Sequence, residues 1–155
     1  MTKQINLTRG KYAIVDDADF AYLSQWKWYC TSTGYAARKE PRGHNLYMHR
    51  LLANSPKGLE TDHINGNKLD NRRSNLRPCT HSQNKGNEGL RSTNTSGYKG
   101  VTWHKQRQKW NAHITHNRKN HSLGLYATPE EASIAYNKEA LKIFGNFAKP
   151  NERKA

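Results

Sequence analysis

A polar stretch past the midpoint of the chain decides what it can fold into. Residues 85–97 read Lys-Gly-Asn-Glu-Gly-Leu-Arg-Ser-Thr-Asn-Thr-Ser-Gly. A run so rich in Gly, Ser, Thr and Asn carries little that could hold a fold of its own and reads as a linker, placed at 89–96. The chain has 155 residues, of which 34% are hydrophobic, so one large core is excluded and two or three modest units are implied. The net charge of +14 points to a polyanionic partner, nucleic acid before any other.

Cys30 and Cys79 are the only cysteines and form no CxxC pair, so neither a zinc ribbon nor a disulfide framework is indicated. The opening Met1-Thr2-Lys3-Gln4-Ile5-Asn6 lacks an apolar signal region, and no apolar run approaches membrane-spanning length. The expectation is a soluble cytoplasmic protein with no membrane partner.

Residues 1–45 hold short aromatic-rich pieces. Tyr12-Ala13-Ile14-Val15 reads as a strand, and Asp16 with Asp19 starts a short helix that turns Phe20, Leu23 and Trp26 inward. Trp28-Tyr29-Cys30 and Tyr35-Ala36-Ala37 form a hairpin around Thr31–Gly34. Trp26, Trp28 and Tyr29 could stack bases, but core packing is the better reading in so small a unit. Leu46 to Ala53 reads as a helix. It is followed by the turn Asn54-Ser55-Pro56-Lys57-Gly58.

The chemistry is concentrated in Thr61-Asp62-His63-Ile64-Asn65-Gly66-Asn67-Lys68-Leu69-Asp70-Asn71-Arg72-Arg73-Ser74-Asn75-Leu76-Arg77. Asp62 and His63 end a short extended run, Asn65-Gly66-Asn67 is a turn signal, and Asn75-Leu76-Arg77-Pro78-Cys79 is a second extended piece. Thr80 with Gln83 has the capping-box pattern, which starts a helix at His81 and places Asn84 in its first turn. Strand, loop, strand and helix then let Asp62, His63 and Asn84 converge. Lys68, Arg72, Arg73 and Arg77 add charge suited to phosphate contacts.

These residues, with the preceding Met48-His49-Arg50-Leu51-Leu52, resemble the HNH endonucleases of the ββα-metal fold, in particular the homing-type branch of phages and prophages. The likeness covers roughly residues 46 to 90. It implies that His63 is the general base, that Asp62 and Asn84 hold one divalent cation, and that Asn75 braces the loop. Carboxylate and amide oxygens suit Mg²⁺ or Mn²⁺ better than zinc. His49 is left between a catalytic role and packing, capping or phosphate contact, with the latter group favoured because His63 already fills the role of base.

Beyond the linker the pattern changes. Val101 and Trp103, then Trp110, Ala112 and Ile114, then His121, Leu123 and Leu125 alternate with polar residues, the signature of a three-stranded antiparallel meander. Thr128-Pro129-Glu130-Glu131 opens a helix carrying Ala132, Ala135, Tyr136, Ala140, Ile143 and Phe144, with Gly145 as its stop. No acid occurs between Glu88 and Glu130, so the uncovered sheet face is polar and basic, fit to enter a major groove. Tyr98-Lys99-Gly100-Val101, Trp110-Asn111-Ala112-His113-Ile114, Leu123-Gly124-Leu125-Tyr126 and the tail Gly145 to Asn151 resemble the Apetala-type, ethylene-responsive-factor DNA-binding domain. By position the implied readers are Lys99, Thr102, His104, His113, Thr115, Asn120 and Ser122. Plant members carry mostly arginine and tryptophan there, so only the docking mode transfers. The alternative for this half is a small module whose sheet meets protein or RNA.

The fold class expected is α+β. An N-terminal scaffold (1–45) supports a ββα-metal nuclease region (46–88), followed by the linker (89–96) and a sheet-on-helix DNA-binding domain (97–151). The function expected is a site-directed endonuclease that needs one divalent cation, Mg²⁺ or Mn²⁺, and leaves a 5′ phosphate and a 3′ hydroxyl. It acts as a monomer on double-stranded DNA in a phage or its bacterial host. Arg72 and Arg73 are counted among its DNA contacts. A transcription regulator with an inactive nuclease unit and an RNA-binding or ribosome-associated protein are the competing readings.

Overall fold

The computed structural model describes residues 1–152. The architecture is α+β, built of small antiparallel sheets and short helices, and it divides into two compact units, Met1–Thr80 and the chain from His81 onward.

In the first unit β1 (Thr2–Asn6) pairs antiparallel with β2 (Tyr12–Asp16). The sequence reading contains no β1, because Ile5 is its one buried residue and shows no alternation. Helix α1 (Asp17–Leu23) buries Leu23, whose carbonyl accepts the Trp28 indole N–H at 2.8 Å. Asp16 occupies the N-cap position, but its carboxylate accepts the backbone N–H of Arg73 at 2.8 Å instead of capping the helix. Ile5, Val15, Leu23, Trp28, Met48 and Leu52 form the core, with Phe20 and Trp26 packed at its margin.

Strands β3 (Tyr29–Cys30), β4 (Ala36–Lys39) and β5 (Asn45–Tyr47) make a three-stranded sheet. Strand β5 corrects the expected helix from Leu46. Leu46 and Tyr47 pair with Arg38 and Ala37, which gives the edge of β4 its partner, and α2 is only Met48–Ala53. That helix ends at Asn54 in the left-handed region, with φ of 44°.

Strands β6 (Glu60–His63) and β7 (Leu76–Cys79) pair antiparallel, with Asp62 opposite Arg77 and His63 opposite Leu76. The loop between them docks on β2. Ile14 N–H donates to Leu69 O at 2.8 Å, and Asn71 N–H donates to Ile14 O at 2.7 Å. The scaffold therefore grips the loop by backbone hydrogen bonds.

In the second unit β8 (Val101–His104), β9 (Lys109–His116) and β10 (Lys119–Tyr126) form the expected meander, and α4 (Pro129–Phe144) covers one face. The α4 start is as read, since Thr128 accepts from Glu131 N–H and the Glu131 carboxylate accepts from Thr128 N–H. The third strand differs from expectation. A bulge between Ser122 and Gly124 leaves Leu123 in the core, puts Leu125 opposite Asn111 on the outer face and turns Tyr126 inward.

Helix α3 (His81–Asn87) groups with this unit. The reason is local. Gly86 lies under the Phe144 ring, and its carbonyl accepts from Lys149 N–H at 3.1 Å and from the Lys99 ammonium at 2.7 Å. The expected linker is not featureless either. The Asn94 side chain holds Gly97 N–H and Tyr98 O, while Ser96 Oγ donates to Val101 O at 2.8 Å.

Gly100 is the tightest point of the sheet-on-helix contact. It sits at φ +72°, and a Cβ there would run into the Tyr136 ring and come within 2.6 Å of the His113 carbonyl oxygen. Gly100→Ala is expected to destabilise the second unit by roughly 3 kcal/mol, combining overpacking with left-handed strain. Thermal or urea unfolding measures this, and an unchanged midpoint would contradict the packing described.

Candidate active site

The loop joining β6 to β7 is assembled from polar side chains that satisfy one another. Gly66, at φ 75°, closes a turn by donating its N–H to His63 O at 2.8 Å. Asn65 Oδ1 accepts from Asn67 N–H, and Asn67 Oδ1 accepts from Leu69 N–H. Asn75 spans the loop: its Oδ1 accepts from Asn65 N–H at 3.0 Å, and its Nδ2 donates to Asp70 O at 2.7 Å and Asn65 Oδ1 at 3.0 Å. Asp70 is buried and takes Asn65 Nδ2 together with a two-pronged contact from Arg72. The Arg72 guanidinium, helped by Asn65, holds the Asp70 carboxyl below the usual carboxylate range.

This frame presents Asp62 and His63 side by side at the end of β6, 4% and 5% exposed. His63 Nε2 lies 3.3 Å from Asn71 Oδ1. Its ring is walled by His49, with centroids 5.1 Å apart, and by Tyr35 at 6.0 Å. Burial lowers the His63 pKa, opposed by the Asn71 hydrogen bond and by the charges of Asp62 and Asp70. A neutral imidazole is the form able to accept a proton. His49 is pushed down to about 3 by burial first, then by the charges of His63 and Arg50, so this second imidazole also stays neutral. Its Nδ1 is buried with no hydrogen-bond partner. Packing against Tyr35 and Tyr47 is the role the structure shows for His49.

The cations of the loop also have partners within the protein. Arg72 serves Asp70. Arg73 donates Nε and Nη2 to Asp19 at 2.9 and 2.8 Å and Nη1 to Leu52 O at 2.9 Å. Arg77 Nε donates to Asp62 Oδ2 at 2.9 Å. Lys68 donates to Thr33 O at 3.0 Å and lies over the Tyr35 ring. These partners are not visible in the sequence, because each lies far along the chain or two residues away in a loop.

Asp62 offers a hard carboxylate oxygen, with one oxygen held by Arg77. Among the described residues no group of three or more His, Cys, Asp or Glu side chains gathers to cage an ion. A buried carboxylate fits a hard cation that keeps most of its own waters, as Mg²⁺ does. Asn84 lies on α3, in the second unit.

On the second unit the register places Thr102, His104, His113, Thr115, Asn120 and Ser122 on the sheet face opposite α4. Lys99 is not among them. Its ammonium donates to Lys85 O and Gly86 O at the end of α3, and burial pulls its pKa down to about 8. Asn71, Asp70 and Asn65 were missed as site residues. In the sequence they look like ordinary turn residues, and only burial reveals their duty.

The HNH endonuclease family profile matches residues 47–85, and the AP2 domain profile matches residues 96–146. The chain is 30% identical over 150 residues to a protein of Acanthamoeba polyphaga mimivirus named uncharacterized HNH endonuclease L560, covering 93% of this chain and 76% of that one. It is 32% identical over 111 residues to protein 3.8 of Escherichia phage T7, covering 72% of this chain and 91% of that one. No solved structure matches it. No helix among the described residues is long and apolar enough to cross a membrane.

Because the folded Asp70 carboxyl titrates below its unfolded value, its stabilisation is present above the unfolded pKa of about 4 and is lost as pH falls through the lower folded value. Asp70→Asn is expected to melt below wild type at pH 7, with the gap closing as pH drops below about 4. Melting temperature against pH for both proteins tests this, and a gap independent of pH would contradict it.

Proposed function

Because this chain belongs to the HNH endonuclease family, we propose that it is a divalent-cation-dependent, homing-type DNA endonuclease whose AP2-type sheet selects the site. The two matched domains make it a nuclease that binds DNA. The observation that carries the finer reading is the buried, neutral His63 beside the Asp62 carboxylate at the end of β6.

HNH nucleases generally depend on a divalent cation. Here Asp62 and Asn84 would hold one Mg²⁺ or Mn²⁺, which when bound neutralises charge on the phosphate and on the departing 3′ oxygen. Arg77 keeps the Asp62 carboxylate in place. His63 takes a proton from water as that water attacks phosphorus. The bond to the 3′ oxygen breaks, leaving a 5′ phosphate and a 3′ hydroxyl. Asn75 keeps the loop closed around the reacting groups and does not itself transfer a proton.

Double-stranded DNA is the proposed substrate, bound by a monomer. Thr102, His104, His113, Thr115, Asn120 and Ser122 face the major groove, where hydroxyl, imidazole and amide groups can read base edges. Arg72 and Arg73 keep 38% and 59% of their side-chain surface open and can meet phosphates while holding Asp70 and Asp19. Lys99 is left out of this set, since its ammonium caps α3.

His63→Ala is expected to abolish plasmid cleavage in Mg²⁺ or Mn²⁺, by at least about 100-fold, while duplex binding in gel shift is unchanged. The double variant Thr115→Ala/Asn120→Ala should weaken binding roughly 10-fold and leave slow, nonspecific nicking. Cleavage by wild type in EDTA, or none with any metal, would overturn the metal-dependent reading; the second result supports a DNA-binding regulator.

A further inference from the structure

We infer that the outer face of the β3–β4–β5 sheet seats the sugar–phosphate backbone of the cleaved strand of duplex DNA beside His63. Tyr29, Tyr35 and Tyr47 floor this surface, and Lys39, Arg50 and Lys68 supply its charge. The inference rests on the proposed nuclease reading and gives the first unit a DNA contact of its own, separate from the C-terminal sheet.

Strand pairing sorts the side chains onto two faces. Cys30 pairs with Ala36, and both are buried in the core. Arg38, two residues from Ala36, shares that face, and its guanidinium stacks over Trp26 at 4.6 Å. Tyr29, Ala37 and Tyr47 lie opposite one another and point the other way. Tyr35, two residues before Ala37, continues their row and packs edge-on against Tyr47, with centroids 5.9 Å apart. The three tyrosines are half-buried, and none belongs to the apolar core. Tyrosine, apolar in its ring and polar at its tip, suits a surface that a partner covers.

The row ends at the site. The Tyr35 ring lies 6.0 Å from the His63 ring and 4.9 Å from that of His49, and Tyr47 lies 5.6 Å from His49. A strand laid along the tyrosines is thereby led to the proposed base. Tyr29, Tyr35 and Lys39 precede residues 47–85, which match the HNH profile, so the scaffold adds this part of the surface to that motif.

The cations of this face differ in kind from the loop arginines. Arg72, Arg73 and Arg77 sit on Asp70, Asp19 and Asp62. Among the described residues no carboxylate pairs with Lys39, Arg50 or Lys68, and all three are exposed. Lys68 Nζ lies 4.6 Å from the centre of the Tyr35 ring, and the Arg50 guanidinium 5.8 Å from that of Tyr47. A ring face holds a cation in place without cancelling its charge. Lys39 donates to the Gly43 carbonyl at 3.2 Å. Glu40 is the one acid between Tyr29 and Arg50, and it lies beyond the end of β4. Cations held in this way suit phosphates, the sequence-independent part of a duplex.

Fluorescence anisotropy of the full chain with a short labelled duplex, in EDTA and across a range of salt, reads this surface through binding alone. Lys39→Gln/Arg50→Gln removes two exposed charges and should melt as wild type does. It should lower the slope of log affinity against log salt by about two and weaken binding roughly 10- to 100-fold near about 0.1 M salt. In cleavage with Mg²⁺ or Mn²⁺ its KM should rise with kcat unchanged. An unchanged salt slope would overturn the inference, whether or not the protein cleaves. So would a fall in kcat with KM unchanged, which marks a loss felt only in the transition state rather than a lost DNA contact. A photocrosslinking side chain in place of Tyr29 should join to the duplex, and its failure to do so with binding intact would also overturn the inference. Cleavage surviving in His63→Ala would instead remove the nuclease reading of His63, while the salt slope still reports the surface.

Discussion

Buried polar groups must find hydrogen-bond partners, and that requirement shapes the loop between β6 and β7 more than any apolar contact does. Asp70, Asn71 and Asn75 are all buried, and each is satisfied by another part of the loop or its frame. A half-satisfied network would cost more than an apolar filling, so the loop has few alternatives to the shape it adopts. Its two backbone bonds to Ile14 transmit that shape to the N-terminal sheet. His63 inherits its place from this arrangement rather than from a hydrophobic pocket of its own.

The same economy explains the charge distribution. A chain of net charge +14 has cations to spare, yet Arg72, Arg73 and Arg77 sit on Asp70, Asp19 and Asp62. With so small a core, ion pairs and amide contacts hold the first unit together alongside Leu23, Trp28 and Met48. The second unit solves the same problem differently. Its sheet is covered by one helix through close approaches such as Gly100 under Tyr136, which leaves the opposite face polar.

Much of this architecture is legible in the sequence, for identifiable reasons. The Thr128-Pro129-Glu130-Glu131 start and the Gly145 stop of α4 depend on local chemistry, and the structure contains both. The β6–loop–β7 unit is likewise marked by its turn residues. Strand β1 is invisible because one inward side chain makes no pattern, and β5 is hidden because Leu46 and Tyr47 suit helix or strand alike and the free edge of β4 decides. The bulge at Leu123 shifts the phase of β10, which alternation alone cannot foretell. At the site, Asp62, His63 and Asn75 stand out by type and spacing. Asn71 and the acid partners of the arginines do not, since their meaning lies in burial and in contacts across up to 57 positions of chain.

Amide hydrogen exchange across residues 64–75 tests the central claim that a polar network, docked on β2, makes this loop as rigid as the strands that flank it. The amides of Ile64, Asn65, Gly66 and Asn71, each hydrogen-bonded in the structure, should exchange as slowly as those of β6 and β7. Exchange of these amides at the rate of an unstructured loop, with β6 and β7 still protected, would contradict it.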